Sequence, residues 1–350
     1  VPLPGKHIVI AGAGIIGLAT ALELAQAGAH VTVLDRGRAM QQSSWAAAGM
    51  LAVDDPENDP ALHPLAVYSR SLYPAFLARI QQLTGLTIPL RTSVTLQGHP
   101  GAGPPHPSLP DLRTDRYHFD RLSEASLDPR DLCIALPAAV RAAGIALIED
   151  TGVEQVTREA GKLRVHPSNA DSLHADHFLL AAGAWSAQIA LPGGVTSDPA
   201  LPIAPRKGQM IEVTLESPEL PYALRTPQLY LVPRGDNRIA IGATIEHAGF
   251  DRSIDEAAGN RLWHAAAELW PPILHGHITA RWTGLRPGFH AGIADPLPII
   301  GPLGKNIWAA TGHFRNGILL APATALLLRQ LIDGAPPSVS LDRFAPTRFA

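Results

Sequence analysis

Apolar residues change rhythm twice along this chain, and those changes divide it. His7-Ile8-Val9-Ile10-Ala11 is an apolar run of the kind a parallel strand shows when both its faces are buried. Leu18 to Ala27 follows with helical spacing, Gly28 ends it, and Val31-Thr32-Val33-Leu34 reads as the next strand, completing a βαβ unit. Leu65, Tyr68, Leu72, Phe76, Ile80 and Leu83 recur at intervals that predict a helix over 65–84. His99 to Arg116 is rich in Pro and Gly and reads as a surface loop. Asp131 to Gly144 predicts a helix, Ala146-Leu147-Ile148 a strand and Val153 to Val165 a hairpin, closing on the apolar strand that runs from Phe178 to Gly183.

From about Lys207 to Thr283 the pattern becomes one of short strands joined by turns. Gln209 to Leu215, Leu229 to Val232 and Ile239 to Gly242 read as strands of a mostly antiparallel sheet, with Asn260 to Trp270 as a helix. Ile307-Trp308-Ala309-Ala310 and a helix from Pro322 to Ile332 then return to the earlier style. No internal repeat is present. The expected fold class is α/β combined with α+β: a Rossmann-like dinucleotide domain interleaved with a substrate domain on a mixed, largely antiparallel sheet. The division places residues 1–90, 140–205 and 284–350 in the first domain and residues 91–139 and 206–283 in the second.

Composition narrows the partners. A net charge of -3 on 350 residues, with no run of like charges, argues against nucleic acid or an anionic membrane. One cysteine, Cys133, excludes an internal disulfide and fits a reducing compartment. The stretch Val1 to Lys6 does not read as a signal peptide, and the apolar stretches Leu24 to Leu34 and Leu319 to Leu328 are too short to span a bilayer. A soluble cytoplasmic protein is the expectation. His275-Gly276-His277 lacks carboxylate or thiol company, which argues against zinc, and no Gly-x-Ser-x-Gly elbow is present.

Chemistry concentrates at the two ends. Gly12-Ala13-Gly14-Ile15-Ile16-Gly17 follows a strand and opens a helix, the context of a dinucleotide fingerprint. Gly12 serves the turn, Gly14 the approach of a pyrophosphate and Gly17 close packing of helix on sheet. The helix start offers free N–H groups to phosphate. Asp35, about 20 residues on, is placed to accept from a ribose and disfavours NADP; Arg36 follows it. This motif alone does not separate NAD from FAD. Ser43-Ser44-Trp45-Ala46-Ala47-Ala48-Gly49-Met50 reads either as small residues that let backbone lie against a flat ring or as a plain helix start. Ala182, Gly183 and Trp185 end another buried strand with small residues, and Val153 is grouped with them as a cofactor contact. Near the C-terminus, Gly312-His313-Phe314-Arg315-Asn316-Gly317-Ile318-Leu319 joins a basic side chain and two glycines in one loop.

These blocks, with Gly284-Leu285-Arg286-Pro287-Gly288, occur in the order in which the D-amino acid oxidase superfamily of FAD proteins carries them, and the chain resembles that superfamily along nearly its whole length. The last two blocks are most similar to its glycine oxidase branch, which serves thiamine biosynthesis. The resemblance implies an FAD-binding domain of the GR2 type and an oxidative deamination of glycine, sarcosine or small D-amino acids with oxygen as acceptor. With no cysteine beyond Cys133, FAD is expected to be non-covalent. Arg286 is the candidate clamp for the substrate carboxylate, since a guanidinium matches two oxygens with two N–H donors. Arg315 reads as acting on substrate or flavin, or as a structural partner of an aspartate. Tyr230, in Tyr-Leu-Val-Pro-Arg, joins Arg286 and Arg315 as a candidate catalytic residue through the resemblance; as a lone strand tyrosine it would read as core. Ile245 stands where relatives more often carry methionine, and with Met50 it is assigned to the substrate pocket. Residues 54–64 are a candidate lid, and a homo-oligomer, as large as a tetramer, is expected. Two rival readings are a D-amino acid dehydrogenase with another electron acceptor and a non-catalytic FAD-binding subunit.

Overall fold

The computed structural model describes residues 3–159, 161–193, 201–216, 219–293 and 295–349. Val1 and Pro2 at the start, Ala160 in the expected hairpin, and residues 194–200 of the segment given to the dinucleotide domain lie outside the described residues.

A six-stranded sheet forms the first unit, in the order Ile299–Gly304, Ile307–Thr311, His177–Leu180, His7–Ala11, His30–Leu34, Ala146–Ile148. Its neighbours pair parallel except at the edge strand Ile299–Gly304, which is antiparallel. The apolar run of the central strand buries alternate residues in different cores, as strand geometry requires. Ile8 and Ile10 face the helices Ile15–Gln26, His63–Thr84, Pro129–Ala142 and Gly317–Asp333. Val9 and Ala11 face a smaller three-stranded sheet made by Val153–Glu159, Lys162–Pro167 and Leu173–Ala175.

The second unit is a seven-stranded sheet, Gly276–Phe289, Ile203–Leu215, Arg238–Gly242, Tyr230–Gly235, Ala223–Arg225, Thr95–Pro100, Tyr117–Leu122. All its pairings are antiparallel except that of Ala223–Arg225 with Thr95–Pro100. Helix Glu256–Leu269 packs on it, capped by Asp255, whose carboxylate accepts from the Ala257 N–H at 2.9 Å. The paired strands Ile203–Leu215 and Gly276–Phe289 tie the two units together. Ile211 and Val213 lie in the second unit's core, whereas Ile203 and Phe289 lie in that of the first. Boundaries drawn from sequence at 139/140, 205/206 and 283/284 each fall inside an element: helix Pro129–Ala142 and these two strands.

The C-terminal helix begins at Gly317, five residues before the start at Pro322 expected from sequence. A proline this deep in a helix leaves a carbonyl without its N–H partner. Helix His63–Thr84 repairs the gap: the Tyr73 hydroxyl donates to the Ile318 carbonyl. Ser69 Oγ donates to the Leu319 carbonyl at 2.6 Å and accepts from the Ala323 N–H at 3.1 Å. Among the described residues no helix is long and apolar enough to cross a membrane.

Candidate active site

The glycine fingerprint closes a cleft of about 550 Å³ at the C-terminal ends of the parallel strands. Gly12 has φ +110°, and a Cβ there would stand 2.3 Å from the Ala181 carbonyl oxygen. A Cβ on Gly17 would meet the Gly12 carbonyl oxygen at 1.9 Å, so Gly17 sets helix packing and does not line this cleft. Gly14, Ile15 and Ile16 line the cleft at a helix start with no side-chain cap and no acidic residue in its first turn. Asp35 lies at the cleft and accepts from the Ala13 N–H at 2.6 Å and the Gly37 N–H at 2.9 Å. Burial raises its pKa against the pull of these two bonds, and its carboxylate keeps acceptor capacity for a ribose. Arg36, Val153, Ala182, Gly183 and Trp185 line the same cleft, with the Arg36 guanidinium 4.9 Å from the Trp185 ring centre.

The C-terminal loop returns to this cleft. His313, Phe314, Arg315, Gly317 and Ile318 line it beside the opening glycines. His313 is buried, its Nε2 3.1 Å from Thr324 Oγ1, and burial pushes its imidazole down to about 3, so the ring is neutral. Leu319, assigned to cofactor contact from sequence, lines neither cavity: its side chain is in the core and its carbonyl is held by Ser69. Asn316 lines a second cavity instead.

That second cavity, of about 400 Å³, meets the first at Ser43, Ala47, Phe314, Arg315 and Ile318, which line both. The segment between them is held from several sides. Ser44 Oγ accepts from the Ile15 N–H at 3.0 Å, and Ser43 Oγ donates to the Leu285 carbonyl. Trp282 Nε1 donates to the Ala46 carbonyl at 3.1 Å, and Arg234 Nη2 to the Ala47 carbonyl at 2.8 Å. Ala48, Gly49 and Met50 continue into the second cavity.

Arg286, Tyr230 and Ile245 line the second cavity together. The Arg286 guanidinium lies across Gly208 on the neighbouring strand, where any Cβ would come within 2.1 Å of Nη1. Its hydrogen bond runs from Nη1 to the Thr244 carbonyl at 3.0 Å, and among the described residues no carboxylate pairs with it. The Tyr230 hydroxyl contacts Met210 Sδ at 3.6 Å, and Ile245 is 54% exposed at the rim. Arg315 is engaged: Nη1 donates to Glu57, and Nη2 lies 3.6 Å from Asp55. Arg315 thus has acidic partners on the loop considered as a lid while its side chain also lines both cavities. Asp55, Pro56 and Glu57 of that loop wall the second cavity, whereas Pro60–Leu62 is already helical and leads into helix His63–Thr84.

Sequence reasoning gave no role of its own to Arg234, the last residue of the Tyr230 pattern, which is fully buried beside Asp128 and against Trp282, nor to Gly208, Asp55 and Glu57. Arg234 carried one signal: an arginine in a strand otherwise apolar. Gly208 carried none, because its neighbour across the strand pair is distant in sequence.

The DAO family, described as FAD dependent oxidoreductase, matches residues 7–115 and 118–331. The chain belongs to this family. It is 34% identical to a glycine oxidase of Pseudomonas aeruginosa over 97% of this chain and 98% of that protein. It is 35% identical to the bifunctional protein ThiO/ThiG of Trichormus variabilis over 98% of this chain, spanning 55% of that larger protein. The crystal structure of glycine oxidase from Geobacillus kaustophilus superposes with a TM-score of 0.88 at 28% identity, covering 98% of this chain and 99% of that one.

FAD is the cofactor of this family member, and the cleft suits it. The uncapped helix start and Gly14 would cradle its pyrophosphate, Asp35 would accept from its ribose, and Ala47 with the cleft-lining residues of the 313–318 loop would face its ring system. The sole cysteine, Cys133, is buried away from both cavities, and its thiol is pushed up to about 12 by desolvation.

Proposed function

We propose that this protein oxidatively deaminates glycine and other small amines, sarcosine and small D-amino acids among them, to the oxo acid, ammonia and hydrogen peroxide. The observation that carries the reading is Arg286, a guanidinium without an acidic partner among the described residues, in a cavity that opens onto the nucleotide cleft. Bound FAD supplies the acceptor for the hydride that leaves the substrate α-carbon. The chain's own residues bind and orient. Arg286 has N–H groups left after its bond to Thr244, and these suit a carboxylate. Tyr230 and Met210 form a wall that fixes the small amine, and Ile245 shields the rim from water. The start of helix Gly317–Asp333, with no side-chain cap, directs positive potential into the cleft, where neutral His313 adds none.

The reading places the enzyme in the cytoplasm as a homo-oligomer, with four subunits as the arrangement to test, and makes its imine product a precursor for the thiazole ring of thiamine. The relatives named glycine oxidase and ThiO/ThiG support the amine oxidation. Purified protein given glycine with air as sole oxidant is expected to release peroxide in step with glyoxylate. Bleaching of the flavin without peroxide would instead indicate a different electron acceptor.

A further inference from the structure

The charges around the second cavity pair unevenly, and the uneven pairing has a chemical meaning. Arg225 is matched by the buried carboxylate of Glu124, Nη1 to Oε2 at 3.0 Å. Arg286 has no acidic partner among the described residues. Arg315 is shared between two carboxylates, Glu57 and Asp55, and so leaves one negative charge in surplus. The loop bearing these acids is anchored. The Asp54 N–H donates to Glu124 Oε1 at 2.8 Å, Arg225 Nη2 to the Asp54 carbonyl at 3.4 Å, and Asn316 Nδ2 to Asn58 Oδ1 at 2.9 Å. The Asp55 side chain is 11% exposed, so water screens it little.

We propose that Asp55 and Glu57 set a charge rule for the substrate: an amine with one carboxylate is accepted and an amine with two is rejected. The inference rests on the function proposed above. One carboxylate neutralises Arg286. A second finds no unshared cation and must either face the surplus negative charge or displace a carboxylate from Arg315. At Asp55, which water screens little, both routes are costly; at half-exposed Glu57 the cost is smaller. Selectivity then comes from a repulsive element, which the site needs because glycine itself offers so few atoms to recognise.

Sarcosine and iminodiacetate test this cleanly, because both are N-substituted glycines and differ in a methyl against a carboxymethyl group. Peroxide release by the FAD-loaded enzyme gives kcat/KM for each, and calorimetry gives the dissociation constants of acetate and malonate. The wild type is expected to favour sarcosine and acetate. Glu57→Gln should raise the iminodiacetate-to-sarcosine ratio roughly tenfold, and adding Asp55→Asn should raise it further, with malonate gaining on acetate in parallel. Glu57 is half exposed, so Glu57→Gln is the substitution least able to disturb folding; retained flavin absorbance checks this. Unchanged ratios in both assays would overturn the charge rule. Absence of peroxide from either amine with the wild type would count against the proposed function instead, and the malonate-to-acetate ratio would then decide the charge rule alone.

Discussion

Replacing Arg286 with Lys isolates what a planar guanidinium adds at that position. The substitution keeps the charge but loses the paired N–H donors, and the compact ammonium cannot hold Thr244 and a carboxylate in the same way. Glycine KM is expected to rise about 10- to 100-fold, the scale of one charge-assisted hydrogen bond. Flavin content should stay the same, because Arg286 lines only the second cavity. Steady-state peroxide assays read the first quantity and the absorbance ratio of protein to flavin the second. His313 makes a prediction about pH. Its unfolded-state pKa is 6.5 and burial lowers the folded value to about 3. Between these values the unfolded chain binds a proton that the folded protein refuses, so stability falls as pH drops below 6.5. The slope is at most ~1.4 kcal/mol per pH unit for this group, and it vanishes above that range. His313→Asn should flatten the dependence of the urea midpoint on pH between 7 and 5 by about one proton; an unaltered slope would mean the ring is already charged. At this scale the sequence told unevenly. Gly12, Asp35 and Arg286 were legible because each belongs to a short contiguous pattern with a chemical reason. The partners of Arg315 were not, since Asp55 and Glu57 lie more than 250 residues away in an unpatterned loop.

Elements were legible where burial is two-sided. His7–Ala11 and His177–Leu180 are covered on both faces, so their apolar runs stood out. Thr95–Pro100 and Tyr117–Leu122 did not, because the latter is an edge strand of mixed polarity and the former ends in Gly, His and Pro. The start of Gly317–Asp333 was hidden by Pro322, which usually marks a helix's first turn. Tyr73 and Ser69 restore the bonds that proline removes, and the repair is testable. Tyr73→Phe deletes the hydroxyl alone and leaves the buried Ile318 carbonyl without its donor. A cost of about 1–3 kcal/mol is expected, the penalty of an orphaned buried acceptor. Because Ile318 lines both cavities, the same change should weaken FAD binding as well as lower the thermal midpoint. Ser69→Ala should act in the same direction. A Tyr73→Phe protein with wild-type midpoint and FAD affinity would show that the C-terminal helix tolerates Pro322 without the Tyr73 hydroxyl.

At the scale of the whole molecule, the cleft proposed for FAD is walled by segments far apart in the chain. The glycine fingerprint, the Ser43–Ala47 stretch, Pro287 at the end of the strand shared by both units, and the His313–Ile318 loop all line one cleft. They differ in how firmly the protein alone holds them. Gly12 and Gly17 are locked by backbone packing, and His63–Thr84 is a 22-residue helix set in the core. The stretch at 43–47 is held by a few bonds, from Arg234 and Trp282 of the other unit, from Ser43 to the Leu285 carbonyl and from the Ile15 N–H to Ser44, and the 312–316 loop has little regular structure. A ligand that binds only the folded state stabilises it by about 2.7 kcal/mol at a hundredfold excess over Kd. Removing FAD should therefore lower the thermal midpoint, and unevenly through the structure. Amide exchange in the apoprotein is expected to accelerate in residues 41–50 and 312–318 while helix 63–84 keeps its protection. Uniform loss of protection would mean instead that cofactor and fold form one cooperative unit. Acceleration confined to the glycine fingerprint would mean that the C-terminal loop closes without FAD, leaving a cleft already shaped when the cofactor arrives.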